Sequence, residues 1–481
     1  MNHTVKKMNG RATSGRATSG RATLGGLLLA ALALPGAAGA AQHALLAQQA
    51  GDLSARALVA PEATQKSAGA STLRHESVTL SWAAEGAIDA APPAPFVARS
   101  REYYIEATGA ELSAGVAIPT SAPHALVRLQ PLVSVGPRED AAIHPLSLVL
   151  RSPAGRDFDA GGGMEMLVSA DKLAKADVPF AAGTSAFRID PALGAGSFRL
   201  QAKGLQDGDR YLINVVEPES ALALTLRTDA SLYLHGQQLL VLPDLVEGDG
   251  ALRGQHHRLS RFDGFVTSPA GRRFPVDFRP GPDGLLQARL VLDADEAPSP
   301  GLWEVHGQGQ AQVAGRTVIR SVRLAFPVAM PVARLSGAVA VQGGPTGLNL
   351  DFGVETGAAG RYEVRGLLYG TVAGELKPVG VAQAAAWLEP GRRDLTLNFA
   401  PALLDGAAAP FELRDLNLLD QGRMGVLHRQ RRALVIEEGE IVRAPARPAG
   451  AAQVSQPALA VKRTAQTDPL AGGAVWVADP Q

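Results

Sequence analysis

Between residues 77 and 438, apolar side chains recur at every second position in short runs, and this period of two confines the chain to β-structure. SVTLSW (77–82), LSLVLRS (146–152), SFRLQAKG (197–204), SVRLAFPV (321–328) and RRDLTLNFA (392–400) are typical. Gly, Pro, Asp and Asn separate such runs at intervals of about ten residues, the spacing of sandwiches and barrels. The abundance of Gly (53) and Pro (33) suits many turns. Only MEMLVSADKLAKAD (164–177) suggests a short helix. The expected class is therefore all-β.

One phrase is written twice: SPAGRDF at 152–158 and SPAGRRF at 268–274. Proline presets φ for the second position of a type I turn, and glycine at the fourth can take φ > 0, where a hairpin rejoins through a bulge. Ser152 and Ser268 can hydrogen-bond back to the turn. Arg should face water and Phe158 or Phe274 the core. Downstream, a turn glycine precedes a buried aromatic in GSFRLQ (196–201), GDRYLINV (208–215), GLWEVHG (301–307) and GRYEVRG (360–366). Trp82, Trp303 and Trp387 lie in apolar strand patterns and are expected in cores. These signals predict three tandem immunoglobulin-like sandwich modules, at 76–228 (the largest), 229–336 and 337–437.

The ends differ from this middle. Lys6, Lys7, Arg11, Arg16 and Arg21 precede an apolar run, Leu24 to Leu34, and Ala38-Gly39-Ala40 supplies an A-x-A site. This is the layout of a secretory signal peptide over 1–40, its apolar run too short for the ~20 residues of a membrane-spanning helix. Residues 41–75 read as a linker or loosely docked N-terminal arm, and 438–481 as a disordered Pro/Ala-rich tail. The chain should be exported to the periplasm or the medium, with no integral membrane segment after cleavage. It contains no cysteine, so cores alone must hold it.

At this point the sequence resembles a known family. SREYYIEATGAELSAGVAIPTSAPHALVRLQPL (100–132), VARLSG (332–337), GRYEVRGLLYG (360–370), AAAWLEPGRRDLTLNF and APFELRDLNLLDQGRMGVLHRQRRALVI are similar to an exported proteobacterial family labelled only as a domain of unknown function. The resemblance covers roughly 75–437 and implies a signal peptide followed by tandem Ig-like domains. The third module is also similar to Ig-like add-on domains of other exported bacterial proteins. No activity or catalytic residue comes with the resemblance.

Chemistry is sparse. A formal net charge of zero lacks the basic field that nucleic-acid binding needs. Without cysteine, thiol catalysis and Cys-ligated metals are impossible. HExxH, G-x-S-x-G and P-loop patterns are missing, and Gly161-Gly162-Gly163 is a bare triplet. His256 and His257 are neighbours that would point to opposite faces of a strand, and GQHHRLSRFDG reads as an exposed loop. Asp157/Asp159, Asp207/Asp209, Glu247/Asp249 and Asp293/Asp295/Glu296 could offer oxygens to calcium, but they read as solvated turn acids. HRQRR (428–432) reads as an edge-strand device against aggregation. No catalytic, cofactor-binding or metal residue is assigned and no cofactor is expected. The expectation is a non-catalytic binding or scaffolding protein with a protein or glycan partner of the envelope or extracellular space. The alternative is a hydrolase or glycan-active protein with its site at a module junction.

Overall fold

The computed structural model describes residues 41–60, 74–84, 96–132, 142–175, 181–248, 254–292 and 301–443. The expected signal peptide, Asp249, Asp293/Asp295/Glu296 and the tail from 444 lie outside them. The described chain is nearly all antiparallel strand, as the period of two requires.

Both repeated phrases form the same hairpin tip. The Gly155 N–H donates to the Ser152 carbonyl (2.9 Å), and the Ser152 N–H donates to the Arg156 carbonyl (2.8 Å). At the second copy, Gly271 and Ser268 repeat both bonds at 2.9 Å. Gly155 and Gly271 have φ of 83° and 82°, so the left-handed corner explains the shared glycine. The arginines are exposed but also lie over the adjacent rings, 5.1 Å from Phe158 and 4.8 Å from Phe274. Phe274 in turn stacks on Trp303 at 5.5 Å.

Apolar side chains gather into three large cores and one small cluster. The cores are nested in sequence. An inner module, Glu102 to Val216, packs a four-stranded sheet (Val116–Pro119, Ser197–Ala202, Leu148–Arg151, Asp157–Asp159) against one containing Glu102–Thr108, Leu126–Pro131 and Arg210–Val216. Tyr103, Phe187, Phe198 and Tyr211 fill its centre. A middle module surrounds it in the chain: Val97–Ser100 pairs with Leu222–Thr228, and that strand with Gln238–Glu247. Its other sheet runs through Leu259–Thr267, Trp303–Val313 and Arg316–Phe326. Ser321 pairs with Glu102, which joins the sheets of the two modules into one nine-stranded sheet.

An outer module encloses both. Its sheets contain Ala333–Gly344, Gly347–Thr356 and Gly391–Phe399 on one side, and Gly360–Val372, Glu375–Leu388, Ala408–Asp420 and Gly425–Ile436 on the other. The N-terminal part of the chain supplies the rest. Ala41–Ala44 pairs with 338–341, Leu53–Ser54 with 428–429, and Val78–Ala83 with 380–385. The segment expected as a linker or loose arm thus carries strands. Residues 76–84, expected in the first module, supply a strand to the outer one, and 97–100 and 222–228 belong to the middle one. Residues 438–443, expected in the tail, form a turn and the strand Val442–Arg443, which lies parallel to 342–343. The modules are nested where a tandem order was expected, because alternation marks a strand without naming its partner.

MEMLVSADKLAKAD divides into the strand Met164–Val168 and the helix Ala170–Lys175. A second helix, Gly109–Ala114, starts at a Thr108/Glu111 capping box in TGAE. Trp303 is buried as expected. Trp82 and Trp387 are half-buried on the outward face: Trp82 opposes Val381, whereas the core residues of that strand are Ala382, Ala384 and Ala386. Trp387 carries the ring of His75 stacked 4.0 Å away.

Candidate functional site

Two polar clusters stand out among the described residues. The first lies where the inner and middle modules meet. Arg320 follows Val318 and precedes Val322 on an inward-facing row, and it is 1% exposed; Glu217, at the end of the inner module, is 0% exposed. The Arg320 Nη2 donates to the Glu217 carboxylate, to Ser121 Oγ (2.7 Å) and to Ser220 Oγ (2.9 Å). Its remaining donors reach the carbonyls of Ile319 (2.7 Å) and Leu222 (3.2 Å). Glu217 also accepts the Ser121 N–H (2.6 Å) and Oγ–H (2.8 Å). Burial pushes the Arg320 guanidinium down, and the Glu217 charge opposes this. Burial and then the Glu217 charge push the Tyr103 phenol up. A serine beside a carboxylate has the residue types of catalysis, but every group is spent on a neighbour, and all but the half-buried Ser121 are buried. This cluster locks two modules.

The second cluster lines a groove of about 360 Å³ between the N-terminal arm (residues 41–60) and the outer module. Its floor is a β-bulge: the pairing of Ala333–Gly344 with Gly347–Thr356 slips between Leu335 and Val339, and Gly337 has φ of 84°. The bulge turns Ser336 into the groove wall, where its buried Oγ meets no hydrogen-bond partner among the described residues. Arg334 and Glu355 pair at 2.7 Å. His428 is buried, and desolvation pushes its imidazole down, against the hydrogen bond to Gln430 (3.3 Å) and the charge of Asp52. Gln430 donates from Nε2 to the Leu46 carbonyl of the arm (2.7 Å). The groove wall thus carries Ser336, whose hydroxyl is buried, the buried His428 bonded to Gln430, and an arginine already paired with Glu355.

Of the described stretches singled out for their chemistry, only HRQRR contributes to a cluster, through His428 and Gln430. His256 and His257 lie on the strand Gln255–His257, not in a loop, and bond separately to Asp244 (2.6 Å) and Glu247 (2.9 Å). Asp157 is held below the usual carboxylate range by Arg151, 2.6 Å away. Among the described residues no three acidic or histidine side chains converge as metal ligands. HRQRR lies within Gly425–Ile436, flanked by the two-residue strand of the arm, with His428 and Gln430 buried rather than displayed. No described helix is long and apolar enough to cross a membrane.

Sequence reading missed the first cluster, and named HRQRR without the groove that His428 and Gln430 line. The only signal for the first was Arg320 at an inward position of an alternating run. Ser336-Gly337 carried the bulge, but not the arm that covers it.

This architecture defines a multi-module, all-β protein, two of whose modules share a sheet. The chain belongs to the DUF4785 family, a family of unknown function: the model of its N-terminal domain matches residues 69–217 and that of its C-terminal domain residues 332–437, together more than half of the chain. A crystal structure of a DUF4785 family protein from Legionella pneumophila is 21% identical, with a TM-score of 0.61, covering 80% of this chain and 98% of that one. It supports the fold alone. The adhesin domain of Epf from Streptococcus pyogenes (9% identical, TM-score 0.12, 53% of this chain and 77% of that one) carries no argument at that level. The same holds for latent PorU from Porphyromonas gingivalis (6% identical, TM-score 0.17, 71% and 34%). No curated protein matches the chain.

Proposed function

We propose that the protein is an exported, non-catalytic binding or scaffolding element built of three Ig-like sandwich modules, acting on a protein or glycan of the cell envelope or extracellular space. The observation that carries this reading is the fixed junction of the inner and middle modules. A shared nine-stranded sheet and a sealed Arg320–Glu217 pair spend burial on holding them in one arrangement. A rigid frame of that kind presents its turns, the two Ser-Pro-Ala-Gly tips among them, at set positions for recognition. Export is supported by the leader layout of residues 1–40.

The test is capture from envelope extracts with the purified mature chain, and identification of the retained partner. Turnover of a peptide or glycan library, abolished by substitution of one Asp or Glu, would overturn the reading in favour of a junction-site hydrolase.

A further inference from the structure

The arm and the module it lies on are unequally matched. Four arm residues pair with 338–341 and two with 428–429. The Leu45, Leu46 and Val59 N–H groups donate to the carbonyls of Gly337, Ala433 and Pro331, at 2.8, 2.8 and 2.9 Å. Side chains add a few bonds: Gln430 and Arg334 donate to the Leu46 and Arg56 carbonyls (2.7 and 3.0 Å), and Asp52 accepts the Arg431 N–H (3.0 Å), so polar bonds, mostly of the backbone, hold the arm. Among the described apolar side chains of the arm only Leu53 is buried, at 5% exposure; Leu45, Ala55 and Val59 rest partly buried against the core. Against these contacts stand three defects. The groove leaves about 360 Å³ poorly filled. Ser336 Oγ and His43 Nε2, buried on the two sides of the contact, meet no hydrogen-bond partner among the described residues. Each such atom costs free energy that a well-fitted interface avoids. The module's own strands, by contrast, are packed through Val339, Phe352, Leu350 and Tyr362, all at 1% exposure or less.

We infer that this edge of the outer module is a strand-acceptor site, that residues 41–60 occupy it in cis as a displaceable strap, and that the same segment of a second copy of this chain can replace it. Strand addition uses main-chain bonds for affinity and a few side-chain pockets for selection, which is how the arm is held. The arm's own sequence fits the register on 338–341, so an arm from another copy fits it equally. A tethered arm acts at an effective concentration in the millimolar range, so exchange needs either a crowded surface or a weakened strap. Exchange uses only this edge and is independent of whether the chain is exported or catalytic.

The probe is a dye-labelled peptide of residues 41–60, titrated into the full chain and into its Leu53→Ala variant, alongside hydrogen exchange on the unmodified chain. Exchange of the Leu45, Leu46 and Val59 amides should run well ahead of amides in Gly360–Val372. The peptide should bind the variant at least about tenfold more tightly than the unmodified chain, since Leu53 is the cis arm's main anchor. If those three amides exchange only with the core, or the peptide binds neither form, the arm is a permanent strand and the inference fails. The exchange measurement decides even if Leu53→Ala does not fold.

Discussion

Replacing Arg320 by Met tests the lock between the inner and middle modules. The substitution removes the cation that pairs with Glu217 and leaves a carboxylate at 0% exposure. Breaking a buried pair by deleting one partner costs about 3–5 kcal/mol. Glu217 keeps the Ser121 N–H and Oγ–H, so the lower half of that range applies, about 3–4 kcal/mol. With a urea dependence of about 2–3 kcal/mol/M, the midpoint should fall by about 1–2 M. The double variant Arg320→Met with Glu217→Leu removes both charges and should recover most of this loss, because two apolar side chains avoid the desolvation that the lone carboxylate suffers. The pair is sealed, so the single-variant loss should change little between 0.05 and ~0.5 M salt, unlike that of an exposed pair. Urea titrations of the three proteins, followed by tryptophan fluorescence and circular dichroism together, provide the measurement. A single-variant loss below about 1 kcal/mol, or a double variant no better than the single one, would refute the claim that this pair is desolvated and holds the junction.

Two further outcomes concern the turns and the groove. Gly155→Ala and Gly271→Ala should each destabilise by about 1–2 kcal/mol in urea titration, from the left-handed corner alone, since a Cβ at either position meets nothing within 4 Å. His428 is held below its ordinary value of 6.5 by burial, so the unfolded chain binds the extra proton first as pH falls. Its contribution to stability is complete above about pH 6.5 and is lost as pH drops from there through the lowered folded value. His428→Gln should flatten that part of a stability–pH curve measured by thermal melting.

Much of the fold was legible in the sequence and its assembly was not. SPAGRDF and SPAGRRF specified their hairpins to the hydrogen bond, because proline and glycine act locally on φ. Phe198, Tyr211, Trp303 and Tyr362 reached cores because a turn glycine fixes the phase of the alternation that follows. Val78–Ala83 was readable as a strand, but its partner at 380–385 lies some three hundred residues away, and no local preference encodes that distance. Trp82 was misplaced for the same reason: alternation gives two faces, and only the pairing tells which is outward. Arg320 looked like any charged residue on a strand, and Glu217 sits a hundred residues away on another module. The groove depends on the arm crossing Ser336 and His428, a contact that neither segment announces.

The nesting sets an order of assembly. As the chain emerges from its N-terminus, Ala41–Ala44 and Val78–Ala83 appear first, yet the strands they need, 338–341 and 380–385, come in the last third. The innermost sandwich has all its strands by residue 216, so it can close early, whereas the outermost must wait for nearly the whole polypeptide. Such long loop closures are slow, and the waiting segments stay open to proteases or holdase chaperones. Pulsed proteolysis during refolding should therefore protect residues near Tyr103 before those near Trp82; the opposite sequence would mean that the termini meet first.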